Sequence, residues 1–162
     1  MRGFAFVDKL GAEVIIRRAD MHDYRSLLGM YDLFEPKKCA QGIPPADPQR
    51  RKELVRKVLE QQVNVVCEHG EKIIGHACLL DIQPMIRAEL EIAVHQDWRD
   101  RGLGTAMLGR VVEIARSCHY RSIWLTVTSL NRRAIHIYEK YGFVFCCPLD
   151  AEREMELILN DS

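Results

Sequence analysis

Two stretches of this chain carry residue types at a spacing that chemistry can use. The first is Arg99-Asp100-Arg101-Gly102-Leu103-Gly104-Thr105, between an apolar, β-prone run ending at Val94 and a long helical pattern. Two glycines at the mouth of a helix let the backbone turn tightly and come close to a ligand. The first helical N–H groups have no partner within the helix, and the macrodipole makes that end electropositive. A strand, a Gly-rich turn and a helix start therefore make a phosphate cradle. The second stretch is Glu89-Leu90-Glu91-Ile92-Ala93-Val94. Its alternation puts both carboxylates on one face of a strand, opposite Leu90, Ile92 and Val94. Acids are poorly favoured in a central strand, and burial raises their pKa toward what a general base needs. The plain structural alternative is a salt bridge to Arg87 or Lys72.

The spacing narrows what the cradle holds. A dinucleotide fingerprint needs G-x-G-x-x-G, and Met107 stands where the third glycine belongs. A Walker loop needs G-K-[ST], and Leu103-Gly104-Thr105 has no lysine. Among proton carriers, His95 falls in the turn after the strand, and His76 sits in a strand beside Gly75 as a core histidine more readily than as a base. The six histidines have no metal-ligand spacing, and no Ser-His-Asp or Cys-His set stands out. No metal site is expected.

The elements that must position these residues follow from periodicity. Glu13 to Arg18 is β-branched and predicts a strand. Asp20 is a good N-cap for an amphipathic helix from Met21 to Phe34. From Phe34 to Pro45, Pro36, Pro44, Pro45 and Gly42 forbid regular structure, which makes a long functional loop. Asp47-Pro48 opens a second helix, with Leu54, Val55, Val58 and Leu59 inward. Its other face carries Arg50, Arg51, Lys52, Arg56 and Lys57 and reads as a solvated surface more readily than as a site for acidic proteins or a cofactor phosphate. Val63 to Glu68 and Lys72 to Leu80 flank His69-Gly70 as a hairpin, and Gly75 marks a bulge or a close approach. The strand Ala88 to Val94 leads into the cradle. A helix (Gly104 to Ser117), a strand (Ser122 to Thr128), a short helix (Asn131 to Lys140) and strands at Val144 to Cys147 and Glu154 to Leu159 complete the chain. The order is β-α-α-β-β-β-α-β-α-β-β: an α/β domain over 1–162, with a mixed sheet of six to seven strands and about four helices.

Composition excludes several classes. The 162 residues suffice for one cored domain. With 23 basic and 23 acidic residues the net charge is zero, so no nucleic-acid partner is expected. No run reaches the length of a membrane span, and Met1 to Gly11 lacks the features of a secretion signal. Six cysteines without C-x-x-C spacing read as reduced, and the vicinal Cys146 and Cys147 point to opposite faces of a strand. A cytoplasmic location is expected.

The cradle resembles the Q/R-x-x-G-x-G/A signature of the GNAT superfamily of acetyl-CoA-dependent N-acetyltransferases. The element order is similar to that family's fold. Asn131-Arg132-Arg133-Ala134-Ile135-His136-Ile137-Tyr138-Glu139-Lys140-Tyr141-Gly142-Phe143 resembles its N-x-x-A-x-x-x-Y-x-x-x-G-F segment. The resemblance implies that Arg99 through Thr105 hold coenzyme A by their backbone, while Ile92, Ala93 and Val94 pair with its pantetheine arm. It also implies that the Val94 N–H stabilises the oxyanion, that Asn131 contacts the pantetheine side, and that Tyr138 protonates the thiolate. Ala88-Glu89-Leu90-Glu91-Ile92-Ala93-Val94 resembles the Ala-Glu-x-x-x-x-Val strand of bacterial Pat-type protein-lysine acetyltransferases, which puts Glu89 first as base and Glu91 second. The Phe34 to Pro45 loop resembles the same group. A protein lysine is therefore the first-choice acceptor. A small-molecule amine or a protein N-terminus is the enzymatic alternative, and an acyl-CoA sensor the non-enzymatic one. Monomer and homodimer stay open.

Overall fold

The computed structural model describes residues 3–35, 44–83 and 86–159. Among these residues eight strands form one mixed sheet. They are β1 (Phe4–Val7), β2 (Glu13–Arg18), β3 (Asn64–His69), β4 (Lys72–Gln83), β5 (Arg87–Val94), β6 (Ser122–Thr128), β7 (Val144–Phe145) and β8 (Glu152–Ile158), in the spatial order β1-β2-β3-β4-β5-β6-β8-β7. The helices are α1 (Tyr24–Leu33), α2 (Pro48–Leu59), α3 (Leu103–Ser117) and α4 (Arg132–Lys140). The strand beyond the expected count is β1, an antiparallel edge partner of β2 with Phe4 opposite Ile16. The Val144 strand ends at Phe145, so Cys146 and Cys147 lie past it.

Capping follows the sequence. Asp20 accepts from the His22 N–H in a capping box on a short 3-10 turn ahead of α1. Asp47 caps α2 through the Arg50 N–H, with Pro48 in the first turn. Arg51 departs from the expected solvated face. It is buried, its Nε donates to Asp32 Oδ1 at 2.9 Å, and its Nη1 donates to the carbonyls of Pro45 and Ala46.

The sheet has two covered faces. On one, α3 and α4 pack over Val65, Leu79, Leu90, Leu125 and Met155. On the other, α1 and α2 cover Val66, Cys78 and Ala93. Gly75 marks both features expected of it. The pairing passes from Cys67 and Gly75 to Glu68 and Ile73, leaving Ile74 as the extra residue of a bulge. A Cβ on Gly75 would fall 2.8 Å from Met107 Cε and 3.3 Å from Cys67 Cβ, so the Met107 side chain of α3 fills the space over the strand that a side chain there would take.

β5 and β6 are parallel and joined through α3, yet among the described residues only Arg87, Ala88 and Glu89 pair with Ser122, Ile123 and Trp124. Beyond Glu89 the strands part, while β6 continues along β8 as far as Thr128 and Glu152. This split opens the sheet between its two faces.

Candidate active site

The split becomes a cleft of about 610 Å³, within the range of small-molecule sites. One wall is β5. The His95 N–H donates to the Ile74 carbonyl at 2.9 Å, which fixes the parity of the ladder. Residues 93 and 91 direct their backbone groups to β4, and residues 94 and 92 direct theirs into the cleft. The Val94 carbonyl is already taken by Arg99 Nε at 3.2 Å. Its N–H is the group it offers a ligand.

The mouth of the cleft is the glycine turn. Asp100 and Gly102 have φ of 69° and 87°, a left-handed pair that glycine makes easy at 102. Gly102 is the N-cap of α3, and the first intrahelical bond runs from the Ala106 N–H to its carbonyl. The N–H groups of Leu103, Gly104 and Thr105 stand ahead of that bond and point out of the helix end. A Cβ on Gly104 would meet only Val94 Cγ2, at 3.9 Å, so the backbone there is open to a ligand.

The turn is braced on both sides. The Arg99 guanidinium donates to the Glu35 carbonyl at 2.9 Å and lies over the Phe34 ring. Gln96 donates to the Leu33 carbonyl and accepts from the Glu35 N–H. These bonds tie the end of α1 to the cradle. Arg101 turns away from the cleft: it pairs with buried Asp8, donates to the Asp97 carbonyl and lies 4.4 Å from the Trp98 ring centroid.

α4 supplies the opposite wall. Asn131 caps it, with Oδ1 accepting from the Ala134 N–H at 3.2 Å, which leaves Nδ2 to offer a ligand. Tyr138 packs its ring on Phe143. Burial, then the charge of Glu91, push its hydroxyl up to about 12, so it holds its proton at neutral pH. α4 itself is anchored to α3 by the Tyr141 hydroxyl, which donates to the Thr105 carbonyl at 3.1 Å.

Glu89 and Glu91 line the cleft on the face shared with α1 and α2. Burial raises the proton affinity of both. For Glu91 the charge of Glu89 adds to it, Lys57 opposes it, and the result is about 7. Arg87 pairs with Glu156 on β8 at 3.2 Å. His76 is a core residue hydrogen-bonded to Tyr31 and Asn64, and His95 caps the turn after β5.

The cleft thus gathers Glu89, Glu91, Ile92, Ala93, Val94, Arg99, Asp100, Gly102, Leu103, Gly104, Thr105, Asn131 and Tyr138. The Arg101 side chain is outside it. Lys9, Trp98, Thr126 and Glu152 also line the cleft and were not read from the sequence. The signal for Lys9 was the apolar quartet ahead of it, which forms β1. The middle of the proline-rich loop, 36–43, with Cys39, lies outside the described residues. Among the described residues no helix is long and apolar enough to cross a membrane.

The Acetyltransferase (GNAT) family profile matches residues 27–143. An L-amino acid N-acetyltransferase, AaaT of Escherichia coli, is 29% identical over 138 residues, covering 82% of this chain and 83% of its own. The GNAT domain of S. lividans PAT superposes with a TM-score of 0.82 at 16% identity, covering 97% of each chain. A putative acetyltransferase, yncA of Salmonella typhimurium, solved with acetyl-CoA, superposes with a TM-score of 0.73 at 20% identity over 92% of this chain and 95% of that one.

Proposed function

The chain belongs to the GNAT family of acetyltransferases, whose donor is acetyl-CoA, and on that premise we propose that its cleft transfers acetyl to a primary amine by direct attack, with Glu91 accepting the proton. The observation that carries this reading is the pairing of Glu91 and Tyr138 across one cleft. One is a carboxylate whose affinity lies near neutrality, the other a phenol that stays protonated.

The cleft fits the donor. Open amides at the start of α3 suit the phosphates, and the bare backbone at Gly104 suits a close approach. The outward groups of Ile92 and Val94 suit an arm that carries amides of its own. When bound, acetyl-CoA supplies an acetyl group activated as a thioester. The Val94 N–H then faces the charge that develops on the acyl oxygen. Tyr138 donates its proton to the departing sulfur. Glu91, directly or through a water, takes the proton of the attacking amine. Glu89, first by resemblance, has the smaller rise, and its charge raises Glu91. That favours Glu91 as the base at neutral pH.

The acceptor we propose is a lysine side chain of a protein, as in the Pat-type enzymes. Glu152 and Glu154 on β8 share a face with Glu89 and Glu91, through the pairings of Thr128 with Glu152 and Thr126 with Glu154. That acidic face suits a cationic chain and repels a free carboxylate. A free amino acid is the second reading, favoured by the likeness to AaaT over most of both chains.

The test is thiol release from acetyl-CoA with a protein lysate, a panel of free amino acids and small amines, or no acceptor. Release with protein, accompanied by acetyl-lysine in mass spectra, supports the first reading. Release with free amino acids alone moves the function to the second. Binding of acetyl-CoA without release from any acceptor overturns both in favour of a sensor.

A further inference from the structure

Among the described residues the cleft has three cations on its lining, Lys9, Arg99 and Arg133. Two are engaged by the protein. Arg99 holds the carbonyls of Val94 and Glu35, and Arg133 pairs with Asp100. Lys9 comes from the turn between β1 and β2, far from the cradle in sequence, and that turn is built to deliver it. The Lys9 N–H donates to the Arg101 carbonyl at 3.0 Å, inside the glycine turn. Asp8, buried beside it, accepts from the Leu10 and Ala12 N–H groups and pairs with Arg101. The Lys9 stem runs along Gly102, with Cε 3.6 Å from where a Cβ would stand. Among the described residues its ammonium has neither an ion pair nor a hydrogen bond, and it stands exposed at the rim beside the open amides of α3.

We infer that Lys9 is a phosphate-binding residue of the donor site, placed by the β1–β2 turn at the edge of the glycine cradle. The inference rests on the acetyl-CoA reading and adds a residue to it. An amide cradle offers only partial charges to an anion. Lys9 supplies a full positive charge that no described residue engages, whereas Arg101 pairs with Asp8, Arg133 pairs with Asp100 and the Arg99 guanidinium is held by backbone carbonyls.

The test is calorimetric titration of the wild-type chain, Lys9→Met and Lys9→Arg with CoA, 3′-dephospho-CoA and acetyl-pantetheine. Methionine keeps the apolar stem, and the site is exposed, so all three proteins fold. CoA is expected to bind Lys9→Met about three- to tenfold more weakly at low salt, the range for an exposed charged contact. Arginine restores the affinity, and the deficit closes as salt is raised toward about 0.5 M. Acetyl-pantetheine, which has no phosphate, binds all three alike. A deficit that persists with 3′-dephospho-CoA assigns the contact to the pyrophosphate, and one that vanishes assigns it to the 3′-phosphate; both support the inference. Equal CoA affinities at low salt, or an equal deficit with acetyl-pantetheine, overturn it. A wild-type chain that binds no CoA overturns the acyl-transfer reading and the contact together.

Discussion

The Tyr31 hydroxyl lies 2.8 Å from Nδ1 of His76, and the direction of that hydrogen bond is fixed from the far side of the imidazole. Asn64 Nδ2 donates to the Val58 carbonyl, which can only accept. Asn64 Oδ1 therefore faces His76 Nε2, at 2.7 Å, and Nε2 must carry the proton. Nδ1 is left to accept, so Tyr31 donates. A second proton on His76 would break this chain inside the core.

Acid should therefore destabilise the protein through His76. Burial holds its pKa down to about 3, against about 6.5 in the unfolded chain. Between these values the unfolded chain binds a proton that the folded chain refuses, so stability is present above pH 6.5 and lost as pH falls. The expected loss from this group is about 2 kcal/mol between pH 7 and pH 5. Urea unfolding of wild type and His76→Gln at both pH values measures it. The variant starts less stable but loses less on acidification; parallel losses would remove His76 as the cause.

Glu91 gives the activity its own pH limit. Burial and the Glu89 charge place its pKa at about 7, so kcat/KM should fall below that pH. Glu91→Gln is expected to lower kcat by about 10²- to 10³-fold and to abolish the limb. Glu89→Gln removes the neighbouring charge, so the limb moves to lower pH while most activity survives. The reverse pattern, a dead Glu89→Gln and a merely shifted Glu91→Gln, would make Glu89 the base.

Tyr138→Phe separates proton donation from packing. The ring contact with Phe143 survives the change, and among the described residues the cleft-lining hydroxyl has no hydrogen bond to lose. The expected result is an unchanged melting temperature and a kcat reduced by about 10- to 100-fold with a free thiolate as product. An unchanged kcat in steady-state assays would leave Tyr138 as a packing residue only.

What the sequence made legible was local chemistry. Asp20, Asp47-Pro48 and the glycines at 102 and 104 act within a few residues of themselves, and each cap or turn lies where its residue type predicts. The alternation of Glu89 and Glu91 with Leu90 and Ile92 likewise placed the two carboxylates on one face. Less legible was anything decided by pairing across the sheet. β1 has no alternation of its own and exists because β2 offers it an edge. The split after Glu89 leaves no mark, since neither β5 nor β6 contains proline or glycine there. Arg51 read as a surface charge because its partner, Asp32, is on another helix. Lys9 escaped for the same reason, since its meaning comes from the Arg101 carbonyl it meets.

The two glycines of the cradle should fail in opposite ways. Gly102 has a φ of 87°, which an L side chain adopts only under strain. Gly102→Ala is therefore expected to destabilise the chain by about 1 kcal/mol or more, visible as a lower melting temperature without any ligand. Gly104 lies within α3, and its Cβ position meets only Val94 Cγ2, at 3.9 Å. Gly104→Ala costs no contact and gains helix propensity of up to about 1 kcal/mol. The new methyl would instead stand where the phosphates approach the open amides. The expected result is a melting temperature equal to or above wild type with CoA bound at least about tenfold more weakly, a loss of about 1.4 kcal/mol. If Gly104→Ala binds CoA as wild type does, the donor does not come close to the backbone at that residue, and the cradle must be redrawn around Gly102 and Thr105.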